Sequence, residues 1–280
     1  MKSKAELAAE QAAYWNGPGG ERWLANHEQT ERTVMPFGQD ALAAAAPKPG
    51  ERVLDIGCGT GATTAELARL VAPGGRVLGA DISHLLIGRA RQRKVANAEF
   101  IVADAATHDF DAGAFDLAFS RFGVMFFGDP AAAFKNIRRA LKPLGRLVFV
   151  CWRTLAENFW ARVPMQAGAE HLPPLPRPGP EDPGPFSFGD RGRVERILSD
   201  AGFGAPTVRP LDRPIRLGKD IDEALDSVLR IGPMSRLFAD ATPAQIDKAK
   251  AAIAGALGPH AGAAGVALPG ACWLVSVAAP

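Results

Sequence analysis

Apolar residues recur in this chain with two different spacings, and between Glu51 and Cys151 the two alternate. Short continuous apolar runs occur at 53–56, 76–81, 99–104, 115–120 and 146–151, the form taken by strands buried on both faces. Between the runs the spacing lengthens to that of helices. Leu67, Leu70 and Val71 form one inward face, ended by Pro73-Gly74-Gly75. Ser83 is placed to cap the next helix, which runs into the basic stretch Arg89 to Lys94. Those charges read as a solvated face at the favourable end of a helix dipole. Asp129-Pro130 starts a further helix with Phe134, Ile137 and Leu141 inward, and Lys142-Pro143 is expected to close it before a strand at Arg146. Strand–helix alternation of this kind predicts a doubly wound, mostly parallel α/β sheet.

The flanks depart from this rhythm. Helices are expected from about Ala5 to Trp15, from Glu21 to Gln29, and from Met35 through the alanines before Pro47, the first broken by Gly17-Pro18-Gly19-Gly20. Tyr14, Trp15 and Trp23 either pack these helices on the sheet edge or close over a site as a flap. Beyond Cys151, a helix over 152–166 is expected. The proline-dense stretch from His171 to Pro185 then excludes a regular element and reads as a surface loop or lid. Asp190 caps a helix with Val194, Ile197, Leu198 and Ala201 inward, ended by Gly202. A sixth strand over 207–217 follows. The amphipathic run 221–229 and a helix opened by Thr242-Pro243 come next, and a short strand over 272–277 ends the series.

Composition narrows the class without naming it. At 280 residues, 47% apolar and 22% charged, the chain can bury a large core and reads as globular. A formal charge of +2 gives no electrostatic case for a nucleic-acid partner. Cys58, Cys151 and Cys272 are far apart and odd in number, so neither a disulfide framework nor a metal-binding cysteine pair follows, and no metal site is expected. The first eleven residues lack an apolar signal core, and no stretch is apolar enough to span a bilayer. A reduced, cytoplasmic setting is the expectation.

The chemistry concentrates in Val53-Leu54-Asp55-Ile56-Gly57-Cys58-Gly59-Thr60-Gly61. A buried strand ends beside an acid, and three alternate glycines lead into a helix whose N-terminal N–H groups face a bound ligand. A second strand ends at Asp81, about twenty residues on, a spacing suited to a carboxylate on ribose hydroxyls. Dinucleotide sites use G-x-G-x-x-G. Here the pattern is G-x-G-x-G, and Asp55, if not turned away, repels a pyrophosphate but suits a sulfonium or ammonium. In these residues the chain resembles the class I S-adenosylmethionine-dependent methyltransferases, particularly the small-molecule branch that includes quinone-biosynthesis C-methyltransferases. Ser120-Arg121-Phe122-Gly123-Val124-Met125-Phe126-Phe127, followed by Leu141-Lys142-Pro143, strengthens the resemblance.

The resemblance implies a Rossmann-like, seven-stranded sheet whose last strand pairs antiparallel near its edge, with the helices before that strand capping the site. Residues 1–50 would then form a helical flap, 51–151 the cofactor-binding core, and 152–280 the remaining core with lid and cap. S-adenosylmethionine would be the cofactor. Asp55, Gly57, Cys58, Gly59 and Gly61 would surround its methionine part. Asp81 would take the ribose hydroxyls, Ile82 would lie against the adenine, and Asp104 with Ala105 would read the adenine edge. Ser120, Arg121 and Phe122 would lie beside the methionine group and the substrate, with Trp15 and Trp23 closing over the cofactor. His27, Glu28 and His171 are candidate bases in the flap and lid. Arg121 either binds a substrate anion or pairs with an acid. Phe122, Met125, Phe126, Trp160 and Phe186 suit an apolar or aromatic small molecule, or are simply core. A macromolecular methyltransferase would call for a basic groove or added module, and neither is evident. A nicotinamide oxidoreductase would call for a hydride-transfer pair such as Tyr–Lys, and the only tyrosine is Tyr14. A catalytically silent cofactor-binding protein is a further alternative. Acceptor atom and oligomeric state stay open.

Overall fold

The computed structural model describes residues 2–174, 179, 182–230, 234, 238 and 241–280. Part of the proline-dense stretch, 175–178 and 180–181, therefore lies outside the described residues. Five strands supply the parallel part of the sheet: β1 (Arg52–Ile56), β2 (Arg76–Asp81), β3 (Ala98–Val102), β4 (Phe115–Arg121) and β5 (Leu141–Trp152). Three more follow, β6 (Thr207–Gly218), β7 (Ala261–Gly262) and β8 (Gly265–Ala278). The order across the sheet is β3-β2-β1-β4-β5-β8-β6, with the two-residue β7 attached to β8. β8 lies between β5 and β6 and is antiparallel to both. The described sheet is thus the expected seven strands plus one short hairpin arm.

Local signals account for most of the helices. α1 (Lys4–Trp15) opens on a Ser3 capping box, and α2 (Pro18–Ala25) has proline in its first turn. α3 (His27–Ala45) follows. α4 (Ala62–Leu70) starts at left-handed Gly61, and α5 (His84–Arg91) is capped by Ser83. Asp129 caps α6 (Pro130–Ala140), α7 covers Phe159–Ala169, and Asp190 caps α8 (Arg191–Asp200). α9 (Ile221–Arg230) precedes α10 (Pro243–Leu257), which a Thr242 capping box opens. Phe119, Phe134, Phe149 and Phe188 are fully buried about β4 and β5.

Several boundaries differ from expectation. Gly17-Pro18-Gly19-Gly20 does not separate two helices by a loop. Pro18 begins α2, and an added Cβ would lie 2.3 Å from the Tyr14 ring at Gly19 and 2.2 Å from the Trp15 carbonyl at Gly20. The glycines serve close helix–helix packing. The two helices expected at 21–29 and from Met35 meet at Asn26, and α3 runs through Pro36. Lys142-Pro143 lies inside β5, and the helix expected from Trp152 starts at Phe159. The last strand runs well beyond 272–277 because it is the shared partner of β5 and β6.

Strand order reverses between β1 and β4, where chain crossovers leave the sheet in opposite directions. Open α/β sheets bind ligands in the crevice this creates at the strand C-termini. α3 packs across β4, β5 and β6, while α7, α9 and α10 pack on one another and on β6 and β8. Residues of α3, α7 and α9 wall the crevice.

Candidate active site

All three glycines after β1 are left-handed, with φ of 66° at Gly57, 56° at Gly59 and 77° at Gly61. Side-chain-bearing residues adopt that region only with strain. Space is equally restrictive at Gly57, where an added Cβ would come within 2.8 Å of the Gly123 Cα. The turn after β1 and the turn after β4 touch backbone to backbone. Phe122, next to that contact, is itself left-handed at φ 59° and stacks on Trp152 at 4.4 Å. A non-glycine residue held there marks backbone conformation imposed by its surroundings.

Above the turns lies a cavity of about 780 Å³, within the range of ligand pockets. Of the residues assigned from sequence, it is lined by Trp15, Trp23, Gly57, Gly59, Asp81, Ile82, Asp104, Ala105, Arg121 and Phe122. Asp81 holds the turn as well as facing the cavity. Its carboxylate accepts the Gly59 N–H at 2.8 Å and the Ser83 N–H at 2.9 Å. Two accepted bonds leave lone pairs for a ligand hydroxyl. Burial raises its pKa, while the Ser83 and Gly59 N–H groups act in the opposite direction. Asp104 accepts the Ala106 N–H at 2.8 Å, and Asn136 of α6 donates to the carbonyls of Ala105 (2.9 Å) and His108 (2.7 Å).

Other assigned residues lie outside the cavity lining. Asp55 is buried behind the turn, where Thr64 Oγ1 of α4 donates to its carboxyl at 2.6 Å. Burial pushes its pKa up to about 7, against the Thr64 hydrogen bond and the attraction of Arg121. Cys58 packs with Ile87, Ala90 and Phe100. Gly61 starts α4, with no room for a Cβ beside Phe100. Ser120 Oγ donates to the Ile56 carbonyl at 2.8 Å, tying β4 to the end of β1. His27 hydrogen-bonds the Leu24 carbonyl through Nδ1 at 2.7 Å, and neither it nor His171 lines the cavity. Arg121 does line it, and its Nη2 donates to Glu31 Oε1 at 2.6 Å.

The N-terminal helices form a wall of this cavity. Trp15 meets Phe126 edge-on at 5.0 Å and Trp23 at 6.0 Å. A polar latch holds α1 to the end of β2. Asn16 Nδ2 donates to the Ile82 carbonyl at 3.0 Å, its Oδ1 accepts the His84 N–H at 2.9 Å, and Ser83 Oγ donates to the Trp15 carbonyl at 2.7 Å. Beyond the cofactor end, the cavity is walled by Met125, Trp152, Leu155, Trp160, Met165 and Phe186. On the lid side, Ser187 Oγ donates to the Met125 carbonyl at 2.7 Å. Asn16, Glu31, Gly123 and Asn136 escaped sequence reasoning, since each acts on a partner remote in sequence. Only Gly123, beside Phe122 in a recognised phrase, carried a local hint.

With Asp55 turned away behind the turn, the expected contact between its charge and a sulfonium is not made. The residues present still suit a nucleoside cofactor. The indole Nε1 of Trp23 is buried without a hydrogen-bond partner, and an added Cβ on Gly59 would lie 3.8 Å from it. An enclosed N–H donor over the glycine turn, with acids at the ends of β2 and β3, is a set that such a ligand would complete.

A methyltransferase-domain family model matches residues 54–149. The chain is 31% identical over 185 residues to a demethylmenaquinone methyltransferase of Corynebacterium kroppenstedtii, covering 61% of this chain and 78% of that one. It is 36% identical over 154 residues to the aklanonic acid methyltransferase DauC of a Streptomyces species, covering 51% and 70%. An uncharacterized 37.1 kDa transposon protein of Streptomyces fradiae is 33% identical over 191 residues, 66% of this chain, which spans about half (52%) of that protein's length. The YcgJ protein of Bacillus subtilis shares the fold, with a TM-score of 0.57, 17% identity, and 86% and 97% of the two chains covered. Glycine turn, switch-point cavity and relatives agree: the chain belongs to the class I S-adenosylmethionine-dependent methyltransferases, in the small-molecule branch that includes the quinone-biosynthesis C-methyltransferases, and S-adenosylmethionine is its methyl donor.

Proposed function

We propose that the acceptor is an apolar or aromatic small molecule, held in the part of the cavity walled by Phe122, Met125, Trp152, Trp160 and Phe186. The observation carrying this is continuity. One cavity is lined both by Gly57, Gly59, Asp81 and Asp104 and by a set of aromatic and aliphatic side chains. Relatives named for demethylmenaquinone and aklanonic acid support a ring-bearing acceptor.

When bound, the donor would supply a methyl carbon already activated by its sulfonium, with the carbon–sulfur electron pair leaving on sulfur. The chain's work is then binding, alignment and exclusion of water. Asp81 is assigned to the ribose hydroxyls, Ile82 to the adenine face, Asp104 and Ala105 to its edge, and the backbone at Gly57 and Gly59 to the methionine part. Asp55 contributes from behind the turn, by tying the end of β1 to Thr64 of α4. Residues 1–50 act as the flap, 51–151 as the cofactor-binding core, and 152–280 as the remaining core, with β6 and β8, carrying the lid and cap. Three buried free thiols among the described residues and a near-neutral charge support a cytoplasmic enzyme of small molecules rather than of nucleic acid.

Calorimetry with S-adenosylhomocysteine and NAD tests the cofactor assignment, and turnover with phenols, hydroquinones, amines and thiols tests the acceptor. S-adenosylhomocysteine should bind and NAD should not. Asp81→Ala should weaken S-adenosylhomocysteine by about 1–3 kcal/mol, the cost of a lost buried hydrogen bond. Tighter binding of NAD, or an unchanged affinity in the variant, would remove the assignment.

A further inference from the structure

Arg121 closes β4 at the switch point, with its side chain 11% exposed and lining the cavity. Its orientation is set from α3 by two contacts. Glu31 Oε1 takes one N–H at 2.6 Å, and the aliphatic stem lies so close to helical Gly38 that an added Cβ there would be 2.7 Å from Arg121 Cδ. A guanidinium carries five N–H donors in a rigid plane, and Glu31 engages Nη2. The charged groups around it are Glu31 from α3 and Asp55 from β1. Arg22, Arg230, Asp81, Asp104, Asp182 and Tyr14 line the same cavity. Asp81 and Asp104 belong to the cofactor end.

We infer that Arg121 selects an acceptor that arrives ionised, as a phenolate or enolate, and holds its oxygen with the N–H groups Glu31 does not use. This rests on the methyl-transfer reading above and specifies its substrate. A neutral hydrocarbon against these donors would leave them unpaired in an aromatic enclosure, a cost an anionic oxygen removes. The acceptor's proton goes to bulk solvent before binding, so transfer requires no base at the cavity wall. The ionised oxygen, or the carbon conjugated to it, carries the electron pair for the methyl carbon.

The test uses 4-nitrophenol as the probe, because its ionised form is coloured, with the full chain saturated by S-adenosylhomocysteine. In the wild type the bound probe should ionise at least about one pH unit below the free probe, as expected for an acid beside a cation. Arg121→Gln should abolish the shift, and Arg121→Lys should keep part of it. Glu31→Gln removes the competing carboxylate and keeps the cation, so the midpoint should fall at least as far as in the wild type. If the ion pair were merely structural, Arg121→Gln and Glu31→Gln would move the midpoint together, and that result would overturn the inference. So would an unshifted wild-type midpoint, or 4-nitrotoluene binding as tightly as 4-nitrophenol above the probe's ionisation. Binding of S-adenosylhomocysteine by each variant verifies its fold. Its absence in the wild type would sink the methyl-transfer reading together with this assignment.

Discussion

Asp55 ends up as a buried acid whose ionisation is opposed by its surroundings. It stands one residue from the end of β1, enclosed by the sheet and α4, and among the described residues only Thr64 Oγ1 donates to it directly. Its pKa of about 7 lies above the unfolded value near 3.8. Between these two pH values the folded chain binds more protons than the unfolded one, so this group's contribution to stability falls as pH rises from about 4 to about 7. It is fully present below pH 4 and level above 7. Asp55→Asn should therefore flatten the loss of stability across that window, by an amount on the order of a few kcal/mol. Denaturant melts of both proteins at pH 4.5, 6 and 7.5 provide the check, and parallel curves would show that Asp55 does not titrate there.

At the scale of elements, α1 and α2 are shaped for each other by small residues and for the cavity by large ones. Gly19 and Gly20 let α2 approach the Tyr14 ring and the Trp15 backbone, and that approach carries Trp23 over the glycine turn. The isolated Trp23 N–H then faces the region assigned to the methionine part of the cofactor. Trp23→Phe keeps the ring and removes the donor. It should weaken S-adenosylhomocysteine about 2- to 12-fold, a typical hydrogen bond's worth, while leaving 5′-methylthioadenosine, which lacks the amino-acid portion, nearly unchanged. Equal losses for the two ligands in calorimetry would place the indole elsewhere. The basic end of α5 also has a structural use beyond solvation. Arg91 donates to the Phe100 carbonyl at 2.9 Å, and Arg93 to the Thr60 carbonyl at 2.5 Å, so these side chains brace β3 and the glycine turn.

Across the whole molecule, the site is assembled from both flanks of the core. α3 touches the core through Glu31 and Arg121, and it meets the cap where Gln29 donates to Ser227 of α9. α1 is latched to β2 through Asn16. Asn16→Ala deletes the bond to Ile82 and the one accepted from His84, leaving a backbone N–H and a carbonyl at the latch without that partner. Limited proteolysis should then cut the first fifty residues faster in the absence of cofactor, and S-adenosylhomocysteine should restore much of the protection. Cleavage at the wild-type rate would mean that the latch does not hold the flap.

Features governed by near neighbours in sequence were legible before the fold. The left-handed glycines follow from a turn that must bend sharply after a buried strand, and Asp81 from an acid at the end of the next strand. Ser83, Asp129 and Asp190 cap helices because each can bond an N–H three residues on. Their physics is short-ranged. Tertiary packing alone decided that Asp55 turns away from the cavity, that Arg121 pairs with Glu31 ninety positions earlier, and that His27 and His171 stand outside the lining. It also decided the long β8, whose extent is set by two antiparallel neighbours rather than by its own apolar run. A residue's type fixes which bonds it can make. Which partner it meets depends on how distant strands and helices close around the switch point, and one-dimensional spacing does not encode that closure in any single segment.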